Sequence, residues 1–495
     1  MPLVSMKGIT KVYADGTVAL RGVTFELAEG EVHALLGENG AGKTTLMRIL
    51  YGELRPTAGE IFVRGQSVAF RSPQEAMRRG IAMVHQNFSL VPSFTVADNL
   101  YLAVTSVKPM RRGEVEGRAR ELGARLGIEV PLEARVEQLS AGMKQRAEIL
   151  KSLLLDAKII ILDEPTSLLT PLEARALLGL IKELKAQQVS FVYVTHKLRE
   201  VKEVADRVTV LRKGANVGTF QVSEVSEAEM AKLMVGAEVE RVRRSRSGAP
   251  GEVLLEVEDL AARDDMGVER LKGVTLSVRR GEVVGIAGVQ GSGQKELAEI
   301  LAGLRRPERG KVRLGGVDVT GRSPREMRRA GVLYSPESRE EGLALEMSLV
   351  ENSVLARQGE HASGVTMNWK SAEERARQIV ERFRVVFTDL WERARNLSGG
   401  NQQRLMVGRE LESEGLLLIA HEPTQGLDVV SAEKVRGEIL RFRERGAVLL
   451  ISSDLDEVLE LSDRIVVLFE GRVVGELKGG ESDLERLAKL MGGAL

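Results

Sequence analysis

Short apolar runs, each ending in polar or glycine-rich residues and followed by a helical pattern, are the repeating unit of this chain. The run Val32 to Leu36 leads into Gly37-Glu38-Asn39-Gly40-Ala41-Gly42-Lys43-Thr44-Thr45, after which Leu46-Met47-Arg48-Ile49-Leu50 opens a helical pattern. Strand, glycine loop and helix are predicted there. Lys158 to Leu162 and Phe191 to Thr195 read as further buried strands, delivering Asp163-Glu164 and His196 to their ends. Continuous apolar runs of this length suit parallel strands covered on both faces. Gly80 to His85 is a third such strand and ends at Gln86. Leu139-Ser140-Ala141-Gly142-Met143-Lys144-Gln145 opens a helix with serine as its N-cap. Buried strands that deliver polar residues to their C-terminal ends suit an open α/β sheet, where ligands bind at those ends.

The same order of landmarks then recurs. Val283 to Ala287 precedes Gly288-Val289-Gln290-Gly291-Ser292-Gly293-Gln294-Lys295-Glu296, Leu397-Ser398-Gly399-Gly400-Asn401-Gln402-Gln403 matches the Ser140 segment, and His421-Glu422 stands where Asp163-Glu164 stood. Two homologous domains in tandem are expected, 1–240 and 252–495. Between them, 241–251 is arginine-rich, lacks apolar periodicity and reads as a linker. Its arginines suit a solvated connector, or a contact with lipid headgroups or nucleic acid.

Composition narrows the function classes. With 43% hydrophobic residues, 495 residues can bury several cores. Lys+Arg and Asp+Glu balance at 71 each, which argues against a nucleic-acid binder held by a global basic field. The absence of cysteine excludes a disulfide scaffold or a thiolate metal site, and fits a reducing cytoplasm. The start Met-Pro-Leu-Val-Ser-Met does not read as a signal peptide, and no run of about eighteen uncharged apolar residues occurs. The chain is expected not to cross a membrane itself.

The first glycine loop has the full GxxxxGK[ST] spacing between strand and helix. Its glycines let backbone N–H groups turn onto phosphate, and the helix N-terminus adds partial positive charge. Lys43 would reach the β and γ phosphates and Thr44 would ligate Mg²⁺. Asp163 would hold that ion through water, while Glu164 would orient or deprotonate the attacking water. His196 would contact the γ-phosphate, and Gln86 can reach both metal and water. Tyr13 stacks on an adenine ring or is an ordinary strand aromatic. In the second loop Gln294 replaces the lysine, Lys295 cannot bind Mg²⁺, and Glu296 opposes phosphate. Catalysis at that copy is expected to be weak or absent.

Together these motifs resemble an ATP-binding-cassette ATPase with two cassettes fused, over about residues 3 to 490. The resemblance implies two tandem P-loop nucleotide-binding domains, each with a mostly parallel core sheet, an antiparallel β subdomain and a helical subdomain. It implies ATP and Mg²⁺, and head-to-tail packing of the cassettes as an intramolecular pseudo-dimer. Site one would comprise Tyr13, Gly37, Glu38, Asn39, Gly40, Ala41, Gly42, Lys43, Thr44, Thr45, Gln86, Asp163, Glu164 and His196. Ser398, Gly399, Gly400 and Asn401 would complete it from the other cassette, with Asp428 beside them. Glu164, His196, Gln86 and Lys43 would be catalytic, and Thr44, Gln86 and Asp163 would hold the metal. Site two departs at Gln294, His421, Glu337, Ser453 and Asp264, although Glu422 remains, and its borrowed elements carry Ala141, Met143 and Thr170. One hydrolytic site is expected, beside one that binds nucleotide weakly or serves only as structure.

Fused cassettes with a degenerate second half resemble the energising subunit of bacterial importers for simple sugars and nucleosides. The segments 83–92, 146–151 and Ile419-Ala420-His421-Glu422-Pro423-Thr424 are similar to the nucleoside branch, whereas the sugar branch keeps aspartate at the position of His421. The implied partners are two membrane permease subunits and, indirectly, an extracytoplasmic solute-binding protein, with the chain peripheral on the cytoplasmic face of the membrane and no nucleic acid involved. Segments after Gln86 and Glu337 would grip the permease; Phe88, Leu90, Val91, Pro92 and Phe94 make the first apolar, for docking or for local core packing. A monosaccharide importer stays open as an alternative, as does a soluble double cassette acting on ribosomes.

Overall fold

The computed structural model describes residues 2–14, 16–38, 40–86, 88–167, 169, 171–236, 251–289, 291–355, 357–363, 366–479 and 484–492. The chain divides into two compact units, Met1–Val239 and Glu240–Leu495. The expected linker, apart from Gly251, lies outside the described residues, as do Asn39 and Thr170.

A six-stranded sheet forms the centre of the first unit, in the order Ala215–Gln221, Arg207–Arg212, Val32–Gly37, Ser190–Thr195, Ile159–Asp163, Ile81–Val84. Its pairings are parallel except at the Ala215–Gln221 edge, which is antiparallel. Successive side chains of a strand point to opposite faces, so an apolar run buried on both sides feeds two cores. Ile160, Leu162, Phe191 and Tyr193 pack on one face with the helices Val96–Thr105, Arg112–Leu126 and Ala141–Leu154. Ile159, Ile161, Val192 and Val194 pack on the other, against helix Lys43–Leu50 and an antiparallel sheet in the order Val18–Leu27, Val4–Val12, Ala58–Val63, Gln66–Val68. The three strands whose ends carry Gly37, Asp163 and Thr195 are neighbours. Parallel register therefore brings the glycine loop, the acidic pair and His196 to one sheet edge.

The second unit repeats the plan. Its central sheet follows the order Val332–Ser335, Leu417–His421, Ala447–Ile451, Val283–Gly288, Arg464–Phe469, Arg472–Lys478, again parallel except at the last pairing. The antiparallel sheet follows the order Glu269–Arg279, Val253–Arg263, Arg309–Leu314, Val317–Asp318.

The apolar loop after Gln86 in the first unit is only partly packed into the core. Leu90 is part of the core, whereas Phe94 is 44% exposed.

Candidate active site

The glycine loop turns where the chain leaves strand Val32–Gly37 and enters helix Lys43–Leu50. Gly42 caps that helix at φ 98°, a left-handed conformation, and a Cβ there would lie 2.7 Å from Ala19 O and from Leu20 Cδ2. Glycine is required at this position by both conformation and space. Lys43 is buried and its Nζ donates to the carbonyls of Gly37 at 2.7 Å and Glu38 at 3.0 Å. Burial lowers the Lys43 pKa, against the opposing pull of Glu164, Asp163 and Glu38. A desolvated ammonium on loop carbonyls is placed where it could exchange those weaker contacts for an anionic group such as phosphate.

Asp163 and Glu164 have opposite electrostatic fates. Burial, joined by repulsion from Glu164, raises the Asp163 pKa although Thr44 and Lys43 oppose it. Thr44 Oγ1 donates to Asp163 Oδ1 at 3.4 Å. A buried carboxylate short of positive charge, beside a hydroxyl and within the field of the loop, is a hard-oxygen donor set of the kind Mg²⁺ takes. Among the described residues no group of three or more His, Asp or Glu stands ready to hold a metal by itself, so substrate oxygens would have to supply the remaining ligands. For Glu164 burial acts against ionisation, but the hydrogen bond and charge of His196, with Lys43 and Lys197, outweigh it and its pKa is lowered. Glu164 Oε1 accepts from His196 Nδ1 at 3.0 Å and its Oε2 accepts from Gln86 Nε2 at 3.1 Å. The Glu164 backbone is left-handed, φ 47°, with its N–H donating to Val194 O at 2.9 Å. Such a conformation costs a non-glycine residue about 1 kcal/mol or more, and here it turns the carboxylate out of the strand toward Gln86 and His196. Tyr13 is 38% exposed, and its OH shares a hydrogen bond with Thr45 Oγ1 at 3.3 Å.

The two serine-capped helices differ. In the first unit Ser140 Oγ accepts from Met143 N–H at 3.2 Å, while Glu173 Oε1 accepts from Ser140 Oγ at 3.1 Å and from Gly142 N–H at 3.2 Å. A carboxylate of the chain itself occupies the anion position at that helix start. In the second unit Ser431 stands at the position of Glu173. There Ser398 forms no side-chain cap, because its Oγ accepts from Asn401 Nδ2 at 2.9 Å. The serine cap expected in both copies is thus present in the first only.

The second unit keeps the loop shape but has a neutral glutamine where the first has Lys43. Gly293 caps helix Gln294–Leu301 at φ 100°, and Gln294 Nε2 donates to Val289 O at 3.1 Å, the place Lys43 takes at Glu38. Lys295 is paired with Glu341 at 2.8 Å, and Asp264 accepts from Arg270 Nε at 2.8 Å. Burial pushes the Glu422 pKa up to about 7 despite hydrogen bonds from Ser453, and lowers the His421 pKa to about 4. His421 Nδ1 is buried with no hydrogen-bond partner.

These two groups make opposite demands on stability. The folded state keeps the Glu422 proton up to about pH 7 whereas the unfolded chain loses it near 4.5, so stability falls as pH rises across that window. The folded state refuses a proton on His421 until about pH 4 whereas the unfolded chain takes one near 6.5, so stability falls as pH drops across that window. Where the windows overlap the two slopes cancel. Glu422→Gln removes one of them, and its stability relative to wild type should grow by up to about 3 kcal/mol as pH is raised from about 4.5 to 7. Urea midpoints of both proteins at about pH 5 and about pH 8 measure this; an unchanged difference would refute the buried, protonated Glu422.

Lys43, Thr44, Gln86, Asp163, Glu164 and His196 therefore meet as the motifs suggested, and Tyr13 reaches the same loop through Thr45. Ser398, Gly399, Gly400 and Asn401 begin helix Gly399–Leu411 of the second unit. Sequence reading missed Glu173, and also Glu200, which accepts from Thr166 Oγ1 at 2.6 Å and Tyr193 OH at 2.7 Å behind the acidic pair. The recurrence of the Thr166 and Glu200 pair as Thr424 with Glu457 was the available signal for the latter.

The profile of the ABC transporter family matches residues 20–167 and 271–425. A glucose import ATP-binding protein of Haloferax volcanii is 42% identical over 99% of this chain and 96% of its own length. A nucleoside import ATP-binding protein of Lactococcus lactis subsp. cremoris is 39% identical over 99% and 98%, and a ribose import ATP-binding protein of Rubrobacter xylanophilus is 43% identical over 99% and 98%. Among solved structures, an archaeal ribosome recycling factor in complex with a ribosomal stalk protein matches with a TM-score of 0.68 and 21% identity, over 98% of this chain and 92% of the other. At that identity the likeness is one of fold.

Proposed function

Because the chain belongs to the ABC transporter family and carries its cassette twice, we propose that it is the ATP-hydrolysing subunit of an importer, coupled to uptake of a nucleoside. The observation that carries this is the likeness along the whole chain, at 39–43% identity, to import ATP-binding proteins for glucose, nucleoside and ribose. His421, where the sugar branch keeps aspartate, supports nucleoside over monosaccharide. The ribosome reading gains nothing from a likeness of fold.

In the proposed cycle Lys43 and the loop N–H groups hold the phosphates of ATP, and Tyr13 offers its ring to the base. Thr44, Asp163 and Gln86 would hold Mg²⁺, which when bound would supply Lewis-acid stabilisation of the phosphate charge. Glu164, ionised and held between His196 and Gln86, orients the attacking water and takes its proton. His196, fixed through Nδ1, presents its other nitrogen to the γ-phosphate. Ser398, Gly399, Gly400, Asn401 and Asp428 are proposed to complete this site, in keeping with the family's head-to-tail cassettes. Two membrane permease subunits would receive the motion through the loops after Gln86 and Glu337, with a solute-binding protein beyond them. A peripheral place on the cytoplasmic face of the membrane follows from that partnership. Among the described residues no helix is long and apolar enough to cross a membrane.

The test is uptake of labelled nucleosides and labelled ribose in cells whose own copy is replaced by Glu164→Gln. Loss of nucleoside uptake is expected. Loss of ribose uptake alone would move the protein to the sugar branch, and no loss of either, with the variant expressed, would overturn the importer reading.

A further inference from the structure

The loop after Gln86 is anchored at two places. At its far end Asn99 Oδ1 accepts from Val91 N–H at 2.7 Å and Asn99 Nδ2 donates to Val91 O at 3.2 Å. The second unit repeats this anchor, with Asn352 exchanging the same pair of bonds with Ala344, both at 2.9 Å. The near end is different. Ser89 donates to Glu148 Oε1 through its N–H at 2.8 Å and through its hydroxyl at 3.0 Å. Lys151 Nζ donates to Ser89 Oγ at 2.8 Å and pairs with Glu148 Oε2. Glu148 is 0% exposed and Lys151 13% exposed.

Taking a carboxylate out of water is expensive even when a lysine faces it, so such a pair adds little net stability to a fold. The second unit manages without one. Counted back from the Val91 and Ala344 anchors, Gly342 stands at the position of Ser89, and Met406 and Arg409 stand at those of Glu148 and Lys151. Met406 is buried in the core, and the loop is tied to its helix through a backbone carbonyl instead of a carboxylate, with Arg409 Nη2 donating to Gly342 O at 2.9 Å. The asparagine anchor, common to both units, serves the fold. The carboxylate latch stands only in the unit where Gln86, Glu164 and His196 are assembled.

We propose that Glu148 is a positioning residue for hydrolysis: by fixing Ser89 it holds Gln86 against Glu164, and it ties the loop to the helix that starts at Ser140. Glu148 lies on Ala141–Leu154. Through it, a displacement of that helix is passed directly to Gln86 and to the apolar loop beyond. Glu148 acts through Ser89 and Gln86 and does not itself touch substrate. This rests on the ATPase reading above, from which its test must be separable.

The experiment uses the full chain with Glu148→Gln, Ser89→Ala and the double variant, measuring kcat and KM for ATP, melting midpoint and hydrogen exchange at the Ser89 amide. Glu148→Gln is expected to lower kcat about tenfold or more with KM unchanged, since a displaced catalytic group costs rate without loosening the phosphate loop. Faster exchange at the Ser89 amide should accompany it. Ser89→Ala, at an exposed residue, should act in the same direction, and the double variant should be no worse than Glu148→Gln, because both act through one contact. A lowered melting midpoint with kcat unchanged, or losses that simply add, would overturn the proposal. Wild type and Glu164→Gln run alongside separate the two readings: no ATP hydrolysis by wild type would mean that the ATPase reading has failed, whereas hydrolysis by wild type that Glu164→Gln abolishes and Glu148→Gln leaves intact would overturn the role of Glu148 alone.

Discussion

Glu164→Gln should lower kcat for ATP hydrolysis by about a thousandfold, the size of effect a positioned general base contributes. The amide keeps the shape and one acceptor, which His196 retains as its partner, while Gln86 keeps one only by turning its own amide so that its oxygen faces the new N–H; the amide cannot take a proton. Glu164 suits the role because His196, Lys43 and Lys197 keep it ionised in spite of burial. Glu422, in the corresponding place of the second unit, holds its proton up to about pH 7 and has Ser453 where the first unit has His196. Glu422→Gln should therefore leave turnover nearly unchanged. Steady-state phosphate release from the two purified variants decides the matter, and equal losses would mean that both units hydrolyse ATP.

Lys43→Gln should weaken ATP binding about ten- to a hundredfold, as expected for one or two charge-assisted hydrogen bonds lost to phosphate. The fold should survive, because the second unit already shows glutamine in this place: Gln294 Nε2 reaches Val289 O at 3.1 Å, as Lys43 reaches Glu38 O at 3.0 Å. What disappears is the positive charge that Lys43 sets against both Asp163 and Glu164, so that the acidic pair, left with Lys197 and His196 beside Glu164, repels phosphate more strongly. Titration with a fluorescent ATP analogue at fixed Mg²⁺ measures the change. An unaltered Kd would show that the loop N–H groups suffice, and would reopen the second unit as a full nucleotide site.

Much of the site is legible along the chain because its motifs are local. A glycine loop must lie between a strand and a helix, and strands buried on both faces are continuous apolar runs, so Gly37 to Thr45, Asp163-Glu164 and His196 stand out by position. Local patterning does not extend to contacts made between distant segments. Glu173 lies 33 residues beyond Ser140 and fills the start of its helix, and Glu148 lies 59 residues beyond Ser89 and holds its loop. On the sequence both are ordinary helix glutamates. The apolar loop from Phe88 to Phe94 is ambiguous for the same reason, since only packing separates the buried Leu90 from the exposed Phe94.

The order of residues alone determined that the chain is a duplication, that its first copy holds the charges a phosphate needs, and that its second has lost them, because charge and loop spacing are properties of neighbouring residues. Tertiary structure decided how those charges are tuned. Parallel register set Glu164 beside His196 and so kept it ionised, while the same strand-end position in the second unit, buried beside Ser453, was left to hold a proton near neutrality. Ionisation depends on solvent exclusion and on the charges within a few ångströms, and those are set by which strands pair.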